Sequence, residues 1–128
     1  MSVLGAFPVM AILPAQDLDR AVQFYQGTLG LELLMAMEAG AQFAAGNGTT
    51  LFVYPRPGGL PAEHTVAGWL VDDVYAVVEA LEAAGVLFEH YDLPGLQTDE
   101  RGVASVGGEL AAWFRDSEGN SLAISQFA

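Results

Sequence analysis

The sequence contains no cysteine. This absence excludes disulfides, zinc–thiolate sites, iron–sulfur clusters and thiol nucleophiles. Lysine is also absent, so the four Arg residues face 16 Asp and Glu residues, and the net charge is −12. Because an acidic surface repels phosphate backbones and anionic lipids, the composition predicts neither a nucleic-acid partner nor a membrane partner.

Long apolar runs are missing as well. No window reaches the roughly 18 to 20 consecutive apolar residues that a membrane-spanning helix requires. The apolar residues at the start lack a basic leading region and are interrupted by Pro8 and Pro14, which is not typical of a signal peptide. With 52% apolar residues over 128 positions, the chain can build one core. We therefore expect a single cytoplasmic domain over residues 1–128.

The two halves of the chain carry the same pattern of elements. In the first half, a helix is predicted to begin at Asp17 and to end at Gly30. An offset of 55 residues (72 − 17) places Asp17 on Asp72 and Gly30 on Gly85, and either Asp72 or Asp73 is expected to cap the second helix. The pattern predicts two βαβββ modules, about 7–54 and 65–127, with a linker over 55–64. The predicted strands are 7–13, 31–36, 40–45, 49–54, 65–71, 86–91, 111–114 and 122–127.

One segment has no counterpart in the first half. Residues 92–109 contain Pro94, Gly95 and a Gly107-Gly108 pair, and they predict a long connection. Loops of this length without regular structure are uncommon in compact domains and often carry function. Two interpretations remain open: the segment covers a ligand, or it is a loose excursion.

Several motifs together resemble one known family. They are Asp17-Leu-Asp-Arg-Ala-Val-Gln-Phe-Tyr with Leu29-Gly30-Leu31, Val71-Asp72-Asp73-Val74, and Trp113-Phe-Arg-Asp-Ser-Glu-Gly-Asn-Ser-Leu. In this order they resemble the vicinal oxygen chelate superfamily of glyoxalases, bleomycin-resistance proteins and extradiol dioxygenases. The resemblance implies an α+β fold in which two tandem βαβββ modules form a curved eight-stranded mixed sheet around a cleft.

The resemblance also implies where a divalent metal would be held. The family's enzymes use His, Gln or Glu side chains on four strands, and the corresponding positions here are Met10, one residue within 51–54, Thr65 or Val66, and Ala123. A thioether is a poor ligand for a hard divalent ion, and an alanine cannot ligate. We therefore expect no metal and no cofactor. His64 lies next to the third position, and a shift in strand register would bring it into the cleft.

What remains is an apolar cleft, which suits the stacking and burial of a flat or apolar molecule. By strand alternation, the residues expected to line it are Met10, Ile12, Phe52, Tyr54, Trp69, Trp113 and Ala123. The leading hypothesis is a metal-independent, homodimeric small-molecule binding protein similar to the bleomycin-resistance branch, which sequesters an aromatic or cationic ligand.

Three alternatives stay open. The first is a metal-dependent enzyme of the glyoxalase or dioxygenase kind with displaced ligands, drawn from Glu63, His64, Glu109 and Asp116. The second is a scaffold whose cleft is vestigial. The third is that the apolar residues simply fill the interior of the sheet.

Overall fold

A computed structural model describes residues 3–127 of the chain. The chain forms two compact units that divide between Leu60 and Pro61, inside the segment expected to be a linker. Each unit contains one four-stranded mixed sheet and one main helix, in the order βαβββ. The α+β class and the tandem modules are confirmed. Within residues 3–127, no helix is long and apolar enough to span a membrane.

The first unit has a mixed sheet with strand order β1-β4-β3-β2, in which β1 and β4 are parallel and the other pairs are antiparallel. A short 3₁₀ helix at Leu4–Ala6 precedes β1, and a 3₁₀ turn at Gly46–Gly48 joins β3 to β4. The elements are β1 Met10–Ala15, α1 Leu18–Val22 continued by a π-helical turn at Gln23–Thr28, β2 Glu32–Met37, β3 Gly40–Ala44 and β4 Thr50–Pro55.

Local chemistry explains the bounds of this helix. The Asp17 carboxylate accepts a hydrogen bond from the Arg20 backbone N–H at 3.1 Å, which satisfies a donor that the first turn leaves free. At the other end, Gly30 adopts φ +78°, a conformation that side chains disfavour. The sequence predicted both ends correctly. It did not predict the widening into a π-helical turn after Val22.

One face of the first sheet packs on the helix. Leu13, Phe43 and Val53 point to that side and are almost completely buried. They meet Ala21 and Tyr25, both fully buried, and the Tyr25 and Phe43 rings lie 5.6 Å apart. The other face of this sheet carries no such cover within its own unit, and it is called the first open face below.

The second unit repeats this arrangement, with strand order β5-β10-β9-β8 and a parallel β5–β10 pair. Asp73, rather than Asp72, caps its helix by accepting from the Ala76 N–H at 3.2 Å. Gly85 then ends it with φ +98°. The elements are β5 Thr65–Leu70, α2 Val74–Ala83, β6 Asp92–Leu93, β7 Leu96–Gln97, β8 Val103–Val106, β9 Glu109–Arg115 and β10 Ser121–Gln126.

The prediction of a strand over 86–91 followed by a loop over 92–109 is wrong. Within 86–91, Phe88 forms an isolated bridge with Phe114, and the Glu89 N–H donates to the Trp113 carbonyl at 2.8 Å. The chain then leaves the sheet and returns at Gly102, where a Cβ would lie 3.1 Å from the Glu89 carbonyl oxygen. Strand β8 completes the edge strand. The predicted loop therefore contains an insertion that interrupts this edge strand, and its later part, β8, belongs to the strand itself.

The insertion itself has regular structure. Strands β6 and β7 pair as a hairpin, and Pro94-Gly95 forms its turn with Gly95 at φ +79°. At its base, the Tyr91 N–H donates to Thr98 Oγ1 at 2.8 Å and the Thr98 N–H donates to the Tyr91 carbonyl at 2.9 Å. These two bonds close the base of the hairpin, and Thr98 also forms an isolated bridge with Ala104 of β8. This ordered structure disagrees with the interpretation as a loose excursion.

Candidate functional site

Four of the residues expected to line a binding site share the first open face. Residues in register on β1 and β4 lie on the same side of the sheet, and Ile12 pairs with Phe52. Met10 and Tyr54 follow by alternation on the same side. Met10 is 40% exposed and Ile12 is 57% exposed, while Phe52 and Tyr54 are half-buried. The sequence-based facing of these four residues agrees with the strand register.

Further residues of this face were missed by sequence reasoning. Gln42 pairs with Phe52 on one side and with Met35 on the other, and Met37 pairs with Gly40. The register of β2 shifts between Leu33 and Met35, so simple alternation would have turned Met35 towards the helix. For Gln42 a signal was available, because its neighbours Ala41 and Phe43 are the apolar positions of a strand with period two.

The second sheet also has a face turned away from its helix. Ala123 pairs with Trp113 on β9 and with Gly68 on β5, so Trp113 and Ala123 share this second open face. Trp113 is half-buried and packs edge-on against Tyr91, with ring centroids 5.7 Å apart and an interplanar angle of 81°. Tyr91 was not among the predicted site residues. Its position depends on the inserted hairpin, whose path no periodicity reveals.

Trp69 does not join this face. It pairs with Ile124, which points towards the helix, and its ring stacks on Phe114 at a centroid distance of 6.4 Å. A register shift places one extra residue of β5 between Thr65, which pairs with Ser121, and Ala67, which pairs with Leu122. Alternation counted from Thr65 therefore assigned Trp69 to the wrong face. The structure places it, half-buried, on the helix side of the second sheet.

The glyoxalase/bleomycin resistance protein/dioxygenase superfamily model matches residues 8–124. The chain belongs to this family. Among solved structures, the lactoylglutathione lyase of Agrobacterium tumefaciens is 25% identical with a TM-score of 0.65, covering 92% of each chain. TnmS3, an antibiotic-binding protein from Streptomyces sp. CB03234, is 24% identical with a TM-score of 0.65, covering 96% of this chain and 98% of its own.

A third similar structure is the oxidase ChaP-H2, at 22% identity and a TM-score of 0.71, covering all of this chain and 96% of its own. None of the curated proteins compared with the chain matches it. At such identities the structural likeness establishes the fold. The function of the site depends on the side chains that this chain places on the fold.

The divalent metal of the family's enzymes does not fit the side chains at the corresponding positions. Met10 and Ala123 occupy the first and last of these positions, and the second falls among Leu51, Phe52, Val53 and Tyr54. Thr65 or Val66 occupies the third, and the neighbouring His64 is exposed. Within residues 3–127, no group of three or more His, Asp or Glu side chains is placed to hold a metal ion. This donor set lacks the oxygen and nitrogen ligands that such an ion needs.

Asp116, one of the alternative ligands, is committed to a turn. Its carboxylate accepts from the backbone N–H groups of Glu118 and Asn120, both at 2.8 Å, and from Asn120 Nδ2 at 2.9 Å. Asn120 Oδ1 in turn accepts from the Ala62 N–H at 2.9 Å. The family's terminal motif thus holds the last strand to the segment before β5. Glu63, His64 and Glu109 are exposed.

Two ion-pair and hydrogen-bond clusters surround the inserted hairpin. Arg115 Nε donates to Glu89 Oε1 at 2.8 Å, and this bond raises the pKa of the guanidinium. The Tyr75 hydroxyl donates to Asp99 Oδ2 at 2.5 Å, which raises the pKa of Tyr75. Desolvation raises the pKa of Asp99, but the bonds from Tyr75, the Val103 N–H and the Arg101 N–H outweigh it and lower that pKa.

An open pocket of about 660 Å³ lies beside this second cluster. The residues that line it include Tyr75 of α2, Leu96 of the hairpin, Thr98, Asp99 and Ser105 of β8. The pocket is on the helix side of the sheet, because Val103, its floor, pairs with the buried Ala112. It is therefore separate from the second open face, which carries Trp113.

Proposed function

We propose that this protein is a metal-independent small-molecule binding protein that sequesters an aromatic or cationic ligand. The observation that supports this proposal best is the composition of the first open face. Met10, Ile12, Met35 and Met37 remain 40%, 57%, 44% and 47% exposed there, beside the half-buried Phe52. Apolar side chains gathered on one exposed surface are typical of a binding site rather than of an ordinary solvent face.

The side chains also favour a particular kind of ligand. Methionine is unbranched and polarisable, so it adapts to irregular aromatic surfaces, and Phe52 and Tyr54 on the same face offer rings for stacking. A net charge of −12 raises the local concentration of a cationic ligand near the surface. The proposal extends to this chain the property named for TnmS3, without assigning it the same antibiotic.

An alternative is a metal-dependent enzyme, which the likeness to a lactoylglutathione lyase at 25% identity favours. The two functions differ in metal content. Protein purified without chelator should contain no stoichiometric Ni, Zn, Mn or Fe by mass spectrometry. One tightly bound equivalent would overturn the binding-only function.

We also propose a homodimer, which light scattering would test by a mass of twice 13.5 kDa.

Binding is tested directly with planar dyes. We expect acridine orange, which is cationic, to bind saturably at low salt, and more weakly as salt screens the acidic surface. Phe52→Ser should weaken binding tenfold or more, because it removes the ring at the centre of the first open face. The matched control is Leu60→Ser, which changes an 80% exposed apolar residue outside both open faces and should leave binding unchanged. Equal affinities of the two variants would overturn the assignment of this face.

A further inference from the structure

Gln42 is a polar side chain in the middle of an apolar surface. It lies on β3 and is half-buried. Across the sheet, the strand register places Phe52 on one side of it and Met35 on the other. The next residue along this row is Ile12, which pairs with Phe52. Neighbours on both sides therefore lack a side-chain hydrogen-bonding group at this level of the sheet.

The amide of Gln42 has unused hydrogen-bonding capacity. A glutamine side chain offers one carbonyl oxygen as an acceptor and two N–H groups as donors. In the part of the chain that the structure describes, no protein group forms a hydrogen bond with this amide. A polar group that is half-desolvated by apolar neighbours gains from a partner that arrives with a ligand.

The ring of Phe52 lies over Gly40, on the sheet face that also carries Gln42. A Cβ atom on Gly40 would lie 2.6 Å from Phe52 Cζ and 2.7 Å from Cε2, so the ring occupies the space that a side chain at position 40 would fill. Gly40 and Gln42 are two residues apart on the same strand and therefore share a face. Without a side chain at Gly40, the Phe52 ring has room over β3, on the same face as Gln42.

We propose that Gln42 determines the specificity of this site, and that the ligand is a planar aromatic molecule with a hydroxyl or carbonyl group beside the ring that stacks on Phe52. This inference depends on the proposed function. The neutral Gln42 amide can accept a hydrogen bond from a ligand hydroxyl or donate one to a ligand carbonyl. A site built to pair one hydrogen-bonding group rejects an analogue that lacks the group, because the amide then stays unpaired under the ligand.

The test compares two probes of nearly equal size, 2-naphthol and 2-methylnaphthalene, by equilibrium dialysis. We expect the wild type to bind 2-naphthol about tenfold more tightly, since one hydrogen bond contributes about that factor. Gln42→Met keeps the length of the side chain and removes its polar atoms. It should bring the ratio of the two affinities close to one, while binding of 2-methylnaphthalene stays unchanged or improves.

Two further variants make the test decisive. Gln26→Leu removes an exposed amide elsewhere in the first unit and should keep the wild-type ratio. Gln42→Glu retains an acceptor and should keep a preference for 2-naphthol. If the wild type binds both probes and Gln42→Met leaves the ratio unchanged, the inference is overturned and the proposed function stands. If the wild type binds neither probe, the inference is overturned, and binding of acridine orange decides the proposed function separately.

Discussion

The turn at Asp116–Asn120 provides the sharpest test of the fold's energetics. The Asn120 side chain is fully buried, and its amide accepts a hydrogen bond from the Ala62 N–H and donates one to Asp116 Oδ2, each at 2.9 Å. Asn120→Ala removes both bonds. It leaves the Ala62 N–H and one oxygen of the buried Asp116 carboxylate with one partner fewer.

The size of the effect follows from these contacts. A neutral hydrogen bond contributes about 1 kcal/mol net, and a bond to a charged group contributes about 1.5 to 3 kcal/mol. We therefore expect Asn120→Ala to lower the free energy of unfolding by about 3 kcal/mol. For a chain of this length, that corresponds to a fall in Tm of roughly 10 °C.

Urea denaturation followed by circular dichroism measures this change, with the m-value expected to remain constant. Ser117→Ala is the control in the same turn, because its hydroxyl donates only to the adjacent Glu118 side chain at 2.8 Å. It should cost less than about 0.5 kcal/mol, as most surface substitutions do. A loss below about 1 kcal/mol for Asn120→Ala would refute the assignment of this motif to holding the turn.

Two further predictions concern the inserted segment. Asp99→Asn should lower the pKa of Tyr75 towards its ordinary value, because the hydrogen bond to Asp99 raises that pKa. Alkaline titration at 295 nm detects the change, and an unaltered tyrosine titration would contradict the prediction. Because the pKa of Asp99 is lowered in the folded state, the Asp99 carboxylate stabilises the fold above its unfolded-state pKa. This stabilisation is lost as the pH falls through the folded-state pKa, so Tyr75→Phe should make the free energy of unfolding less sensitive to acid. Gly102→Ala should cost about 1 to 3 kcal/mol, because φ is +83° and the Cβ would lie 3.1 Å from the Glu89 carbonyl, whereas Gly46→Ala, with nothing within 4 Å, should be nearly neutral in the same denaturation assay. Equal costs at the two glycines would contradict the close approach at Gly102.

Local signals made much of the fold predictable. The capping Asp17 and the terminating Gly30 and Gly85 act within a few residues, so their chemistry can be recognised without any tertiary contact. The order of helices and strands along the chain followed from the repeat of these signals. The alternation of β1 and β4 also placed Ile12 and Phe52 correctly on one face, because neither strand contains a register shift where they pair.

The errors arise where one residue or one segment is inserted. The shift after Thr65 turned Trp69 to the helix side of the second sheet, and the shift before Met35 brought Met35 onto the first open face. Such shifts depend on pairing with a distant strand, which alternation within one strand does not reveal. For the same reason, the interruption of an edge strand by the hairpin, and with it the role of Tyr91 beside Trp113, was not predictable from the pattern alone.

The most direct test of metal-independent binding is a titration of chelator-treated protein with acridine orange, followed by the fluorescence of the dye. The dye reports binding directly. We predict a saturable change in this fluorescence with the same affinity before and after addition of Ni, Zn, Mn or Fe(II). A change that appears only after one equivalent of metal is bound, or no saturable change at all, would contradict the proposed function.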